Sequence, residues 1–139
     1  MFLLDTNVLS GLRRPDKANP GLLAWAEQVV PEELFISAIT LFEIEVGAAL
    51  VGLKDVHKGN LLRNWINIKV LPEFSGRILP IDTDVARRCA MLHVPHPRPM
   101  RDSMIAVTTI VHGLTVVTRS VPDFENTGAR LLNPWTESG

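Results

Sequence analysis

An apolar run that ends abruptly in a carboxylate constrains this chain more than any other feature. Phe2-Leu3-Leu4 leads directly into Asp5, and Asp5 into the amphipathic start Thr6-Asn7-Val8-Leu9. Such a run reads as a buried strand that delivers an acid to its carboxyl end and turns at once into a helix. Strands apolar on both faces belong in parallel sheets covered by helices on each side. The carboxyl edge of such a sheet is where ligands and active sites gather.

The remainder of the chain repeats this alternation. Leu22, Leu23, Ala26, Val29 and Val30 recur at helical spacing over 21–30, and Pro31 ends that segment. Leu34-Phe35-Ile36-Ser37 reads as a second buried strand. Ile39, Phe42, Val46, Ala49 and Leu50 form one stripe of a helix over 38–53. A further helix is expected over 55–71, with Leu61, Leu62, Trp65, Ile68 and Leu71 inward. Ile78-Leu79-Pro80-Ile81 is a strand or strand end, followed by a helix over 84–93. The proline-rich stretch 94–99 is a loop. It leads into a helix over 101–112 that Gly113 stops. Leu114-Thr115-Val116-Val117-Thr118 is a central strand by its β-branched content, and 129–132 is a last edge strand. Strands alternating with helices imply right-handed crossovers. The expected fold is α/β: a three-layer α/β/α sandwich with a mostly parallel central sheet, formed as one domain over 1–139.

Composition narrows the classes. With 139 residues, 46% of them apolar and 21% charged, the chain can bury one substantial core and is not a disordered segment. No apolar stretch approaches the roughly 20 residues that span a bilayer, so no membrane association is expected. Cys89 is the only cysteine. That excludes an intramolecular disulfide and fits a reducing, cytoplasmic setting. Beside Ala86, Ala90 and Met91 it reads as a core residue. A formal net charge of −1 does not mark a nucleic-acid binder. A cluster of acids can, however, mask basic residues in the total, and Arg13, Arg14, Lys17, Arg87, Arg88, Arg98, Arg101 and Arg119 are available for a phosphate-binding rim.

Four acids occupy comparable junctions. Asp5 suits both a helix N-cap and a ligand, and a strand-to-helix turn accommodates the two together. Glu43 lies beside the apolar stripe of its helix, where a carboxylate is partly desolvated and needs a partner. Gly47, one turn on, would permit close backbone packing. Asp102 sits in the first turn of its helix, favoured there by the dipole and framed by Pro99 and Arg101. The helix that follows, through Met104-Ile105-Ala106-Val107, is apolar enough to be a core helix, which puts Asp102 at the sheet edge of Asp5. Asp123 follows the central strand in a turn, with Ser120 as an alternative polar contributor. Acids gathered on one edge repel unless a cation neutralises them, and oxygen-only ligation selects Mg²⁺ or Mn²⁺. Such ions bind phosphate oxygens and activate water, so phosphodiester hydrolysis is the expected reaction. His93 and His96, separated by Val94-Pro95 and joined by no cysteine, do not make a zinc site. Trp25, Trp65 and Trp135 read as packing residues.

Taken in order, Leu4-Asp5-Thr6-Asn7, Glu43-Ile44 with Gly47, Arg101-Asp102 before Ile105-Ala106, Thr118-Arg119, and Leu132-Asn133-Pro134-Trp135 resemble PIN-domain ribonucleases. Within that family they resemble VapC-type, FitB-like toxins of toxin–antitoxin pairs. The resemblance runs through essentially the whole chain. It implies a PIN fold, dependence on Mg²⁺ or Mn²⁺, endonucleolytic cleavage of RNA such as tRNA or another structured RNA, and inhibition by a cognate antitoxin protein. It also implies a homodimer or a heteromeric complex with the antitoxin. Asp5, Glu43 and Asp102 fall on the family's core acids and metal ligands. Thr6 and Asn7 match positions that orient the first acid, and Arg101 and Arg119 lie within the matched motifs. Many relatives carry Asn or Asp where this chain has Ser120, and Asp123 matches the place where others carry the acid instead. Two rival readings keep the same fold: a PIN nuclease of RNA processing that has no antitoxin, and a non-catalytic binding module.

Overall fold

The computed structural model describes residues 1–136. Its strands are β1 (Phe2–Leu4), β2 (Leu34–Ser37), β3 (Ile78–Leu79), β4 (Thr115–Val117) and β5 (Arg130–Leu132). They form one sheet in the order β3-β2-β1-β4-β5, and every adjacent pair is parallel. The helices are α1 (Thr6–Gly11), α2 (Pro20–Gln28), α3 (Ala38–Lys54), α4 (Val56–Trp65), the short α5 (Leu71–Glu73), α6 (Thr83–Leu92) and α7 (Met100–His112). The expected α/β/α sandwich is what forms. β1 is the middle strand, and β4 sits between it and the edge strand β5.

Alternation along the strands builds the two outer layers. Leu4 and Val117 join Val8, Leu22, Ile36, Ile44, Ile66 and Phe74 on one side of the sheet. Leu3 and Val116 face Ile105, Ala106 and Phe124 on the other. A smaller cluster, Val85, Cys89 and Val107, fastens α6 to α7 and keeps Cys89 in the core. Trp25, Trp65 and Trp135 pack against the first cluster. Local chemistry starts and stops the elements. Ser37, Asp55 and Asp82 cap α3, α4 and α6 through the backbone N–H groups of Ile39, Lys58 and Val85 at 3.1, 3.0 and 3.0 Å. Gly113, at φ 68°, closes α7 in the left-handed conformation.

The expected inward faces of α3 and α4 are corrected. Phe42 and Leu50 are 64% and 59% exposed, and Val46 is exposed with them, while Thr40, Ile44 and Ala48 point inward. α3 is apolar nearly all round, and the narrower face allows closer approach to its neighbours. On the second helix Leu61 and Ile68 are 50% and 69% exposed. A π-helical turn over Ile66–Val70 interrupts the expected continuous helix, and its extra residue per turn brings Ile66 and Val70 inward. The close backbone packing expected at Gly47 lies elsewhere: open space surrounds Gly47, whereas a Cβ on Gly59 would stand 2.5 Å from the Cα of Gly52. The α3–α4 hairpin crosses at this glycine pair. Among the described residues, no helix is long and apolar enough to cross a membrane.

Candidate active site

The strand order reverses at β1, because β2 and β3 extend to one side and β4 and β5 to the other. The crevice beyond the carboxyl ends of β1 and β4 is therefore the topological switch point. Asp5 stands there, fixed from three directions. Its own N–H donates to the Val117 carbonyl at 2.9 Å, which ties it to β4. Its Oδ1 accepts the N–H of Thr6 at 2.8 Å and so caps α1. Its Oδ2 accepts the hydroxyl of Thr118 at 2.8 Å and the amide of Asn7 at 3.3 Å. The residue is only 1% exposed, and the carboxylate that caps α1 also faces the other acids.

Two further acids arrive on helices. Glu43, early in α3, accepts the Thr6 hydroxyl on Oε1 at 2.5 Å. Asp102 lies in the first turn of α7. Arg101 joins all three. Its Nε donates to Glu43 Oε2 at 2.6 Å, its Nη1 to Asp102 Oδ1 at 2.6 Å, and its Nη2 to Asp5 Oδ1. Burial acts to lower the guanidinium pKa, but the hydrogen bonds to Glu43, Asp102 and Asp5 and the charge of Asp5 together outweigh it, and the group is held charged above its usual range. The Asp102 carboxyl is raised above its ordinary 3.8. Burial is the chief cause, opposed by Arg101 and reinforced by the charges of Asp123 and Asp5.

Asp5, Glu43 and Asp102 thus converge as expected, and Thr6 and Asn7 orient the first acid. Asn7 also bridges to the end of β4, with its amide 3.4 Å from Ser120 Oγ and its carbonyl accepting from Arg119 N–H at 3.2 Å. Asp123 sits in a 3-10 turn, Val121–Phe124, outside the hydrogen-bonded cluster, near enough for its charge to act on Asp102. The expected basic rim is dispersed. Arg88 pairs with Asp84 on α6, Arg98 donates to the carbonyls of Leu92 and Asn126, and Arg119 lies over the Trp135 ring. Thr118 is a further residue beside Asp5, and its sequence signal is a polar side chain closing an apolar strand. His93 meets Ser103, with Nε2 and Oγ 3.1 Å apart, and Ser103 in turn accepts from Cys89 at 3.2 Å.

The donor set suits a hard divalent ion in chemistry and in sign: carboxylate oxygens only, already arranged around a cation, the guanidinium. Among the described residues no three acids, histidines or cysteines close on a single metal-sized point; here each acid faces a different nitrogen of Arg101.

A parallel sheet of this order with acids at its switch point defines an α/β protein with an acidic candidate site. The chain belongs to the PIN domain family, whose model matches residues 2–127. It is 38% identical to Toxin FitB of Neisseria gonorrhoeae over 97% of this chain and 99% of that protein. It is 36% identical to VapC ribonuclease Y4jK of Sinorhizobium fredii, over 97% and 98%. Among solved structures, FitAcB from Neisseria gonorrhoeae superposes with a TM-score of 0.89 at 37% identity, covering 99% of this chain and all of that one. FitAB bound to an IR36 DNA fragment gives 0.88 at 35% identity, over 100% and 99%.

Proposed function

We propose that this protein is an endoribonuclease of the toxin type that hydrolyses RNA phosphodiester bonds and is held in check by an antitoxin protein. The observation that carries the reading is the convergence of Asp5, Glu43 and Asp102 from β1, α3 and α7 on one buried-to-open crevice. The near relatives named as a toxin and as a ribonuclease, over almost their whole length, support it.

In this reading Asp5, Glu43 and Asp102 hold a divalent ion of the Mg²⁺ or Mn²⁺ class, with Asp123 as an outlying fourth acid. Such an ion supplies activation of water and neutralisation of phosphate charge. The chain does the rest. Thr118, Asn7 and the Thr6 N–H fix the Asp5 carboxylate, which spends no orientational freedom when it meets its ligand. Thr6 steadies Glu43 in the same way. For the antitoxin, a groove lined by Leu61, Leu62, Trp65 and Ile68 and bordered by Arg13, Arg14, Lys58 and Lys69 suits an amphipathic segment with acidic flanks.

The test is incubation of total RNA with the purified chain, free of other proteins, with and without Mg²⁺ or Mn²⁺ and beside Asp5→Ala. Discrete fragments that require both the metal and Asp5 are expected. A folded protein that cuts nothing in Mn²⁺ would overturn the catalytic reading in favour of a binding module.

A further inference from the structure

We propose that Arg101 is a built-in cation that closes the acid cluster and competes with the divalent ion for it, so that the site loads only as the guanidinium swings out. The proposal rests on the nuclease reading and adds to it a control carried by the same chain.

The geometry is the first argument. One guanidinium engages three carboxylates delivered by three separate elements, using a different nitrogen for each. A planar fork can satisfy three acids in this way because its five donors point outward around its rim. For the same reason it holds the acids apart. An ion needs their oxygens gathered about one centre, whereas here each carboxylate faces a different nitrogen of the guanidinium. Guanidinium and ion are alternatives, since two cations drawn to the same carboxylates repel each other at contact distance.

Charge is the second argument. A single positive charge facing three carboxylates leaves two negative charges unbalanced. A doubly charged ion balances the cluster better, so exchange is possible and the guanidinium is a competitor instead of a permanent lock. Its Asp5 partner is only 1% exposed, so the closed state is not a freely solvated surface pair of negligible weight.

The third argument is the exit. The Arg101 side chain is 31% exposed and springs from the first turn of α7, directly after Pro99 and Met100. It can rotate toward solvent about its own side-chain bonds while α7 stays folded. A closed state populated about nine-tenths of the time weakens apparent ion binding about tenfold, because only the open fraction is competent.

The experiment measures Mn²⁺ affinity by electron paramagnetic resonance for wild type, Arg101→Ala and Arg101→Gln, none of which requires RNA. Both variants are expected to bind Mn²⁺ about tenfold more tightly than wild type. A purely structural role for Arg101 would leave affinity unchanged or weaken it, and either result overturns the proposal while the metal site stands. Should none of the three proteins bind Mn²⁺, the metal-dependent reading itself falls, and the competition with it. If both variants misfold, the wild type decides alone. The Arg101 Nε–H resonance of the ¹⁵N-labelled protein is followed while Mg²⁺ is added. Loss of its protected, hydrogen-bonded signal as the Asp5 carboxyl resonance shifts is expected, and a signal that persists through that shift overturns the proposal.

Discussion

Asp102, partly buried among other acids, carries a cost to the fold at neutral pH. Its carboxyl is raised above its ordinary 3.8 chiefly by burial, so the folded chain binds that proton more tightly than the unfolded chain does. The resulting stabilisation is present at low pH and is lost as pH rises from the ordinary value through the raised one. At neutral pH, in protein free of metal, ionised Asp102 is a net burden. Asp102→Asn is therefore expected to melt at or above the wild-type temperature at pH 7, with the difference closing as pH falls below 3.8. RNA cleavage by the same variant should drop on the order of a hundredfold or more. A lower melting temperature at pH 7 would mean that the bond to Arg101 outweighs burial. Thr118 carries the opposite signature. It is fully buried and donates to Asp5 at 2.8 Å. Thr118→Val keeps the shape and removes the donor. It is expected to cost about 1–3 kcal/mol in urea unfolding and to weaken Mn²⁺ binding about 10- to 100-fold, as loss of a hydrogen bond to a ligand does. Asp5 and Asp102 were legible in sequence because they stand where an apolar strand ends and an apolar helix begins, and Glu43 because it borders the apolar stripe of its helix. Thr118 and the central place of Arg101 were not, because they meet Asp5 across 113 and 96 residues, a proximity that only the assembled sheet creates.

At the level of elements, apolar period located the helices but not their faces. Along α3 the sets Phe42, Val46, Leu50 and Thr40, Ile44, Ala48 both recur at i, i+4, i+8, and hydrophobicity alone favours the larger set. Packing selects the smaller one, because α3 must lie close to both the sheet and α4. The π-helical turn at Ile66–Val70 likewise shifts the phase, and its signal is Pro72 just beyond it, whose ring crowds the carbonyl of Ile68 four residues back. Strand positions were read within a residue or two, since short apolar runs bounded by polar residues leave few alternatives. The crossing of α3 and α4 can be tested with a matched pair of helical glycines. A methyl on Gly59 meets the backbone of Gly52, which cannot yield as a side chain does. Gly59→Ala is expected to lower stability by about 1–3 kcal/mol. Gly47 has open space around it, so Gly47→Ala should raise stability by about 0.5–1 kcal/mol through helix propensity alone. Chemical denaturation of the two variants separates these signs. Equal effects would mean that the helices do not approach as closely as the glycine pair indicates.

For the molecule as a whole, the unsatisfied feature is the outer face of α3. Phe42, Val46, Leu50 and Leu53 are all exposed and recur along one side of the helix. From the first to the last they span about 17 Å at the helical rise. An uncharged apolar strip of this length is more than a solitary chain leaves in water without cost. A second copy turned about a twofold axis would cover such a self-matching stripe. Glu43 follows Phe42 directly on this helix, so a copy seated on the stripe would border the acids and set two acid clusters side by side. Leu50→Glu introduces a charge that a twofold contact would bury against its own image. Sedimentation equilibrium of the isolated protein is expected to give twice the 15.4 kDa chain mass for wild type and the single mass for the variant. Wild type at the single mass would assign the stripe to a different protein. Unchanged dimers of Leu50→Glu would place the twofold contact on another face. Either result also bears on the crevice, since RNA cleavage per chain should fall in the variant only if the neighbouring copy helps to hold the substrate.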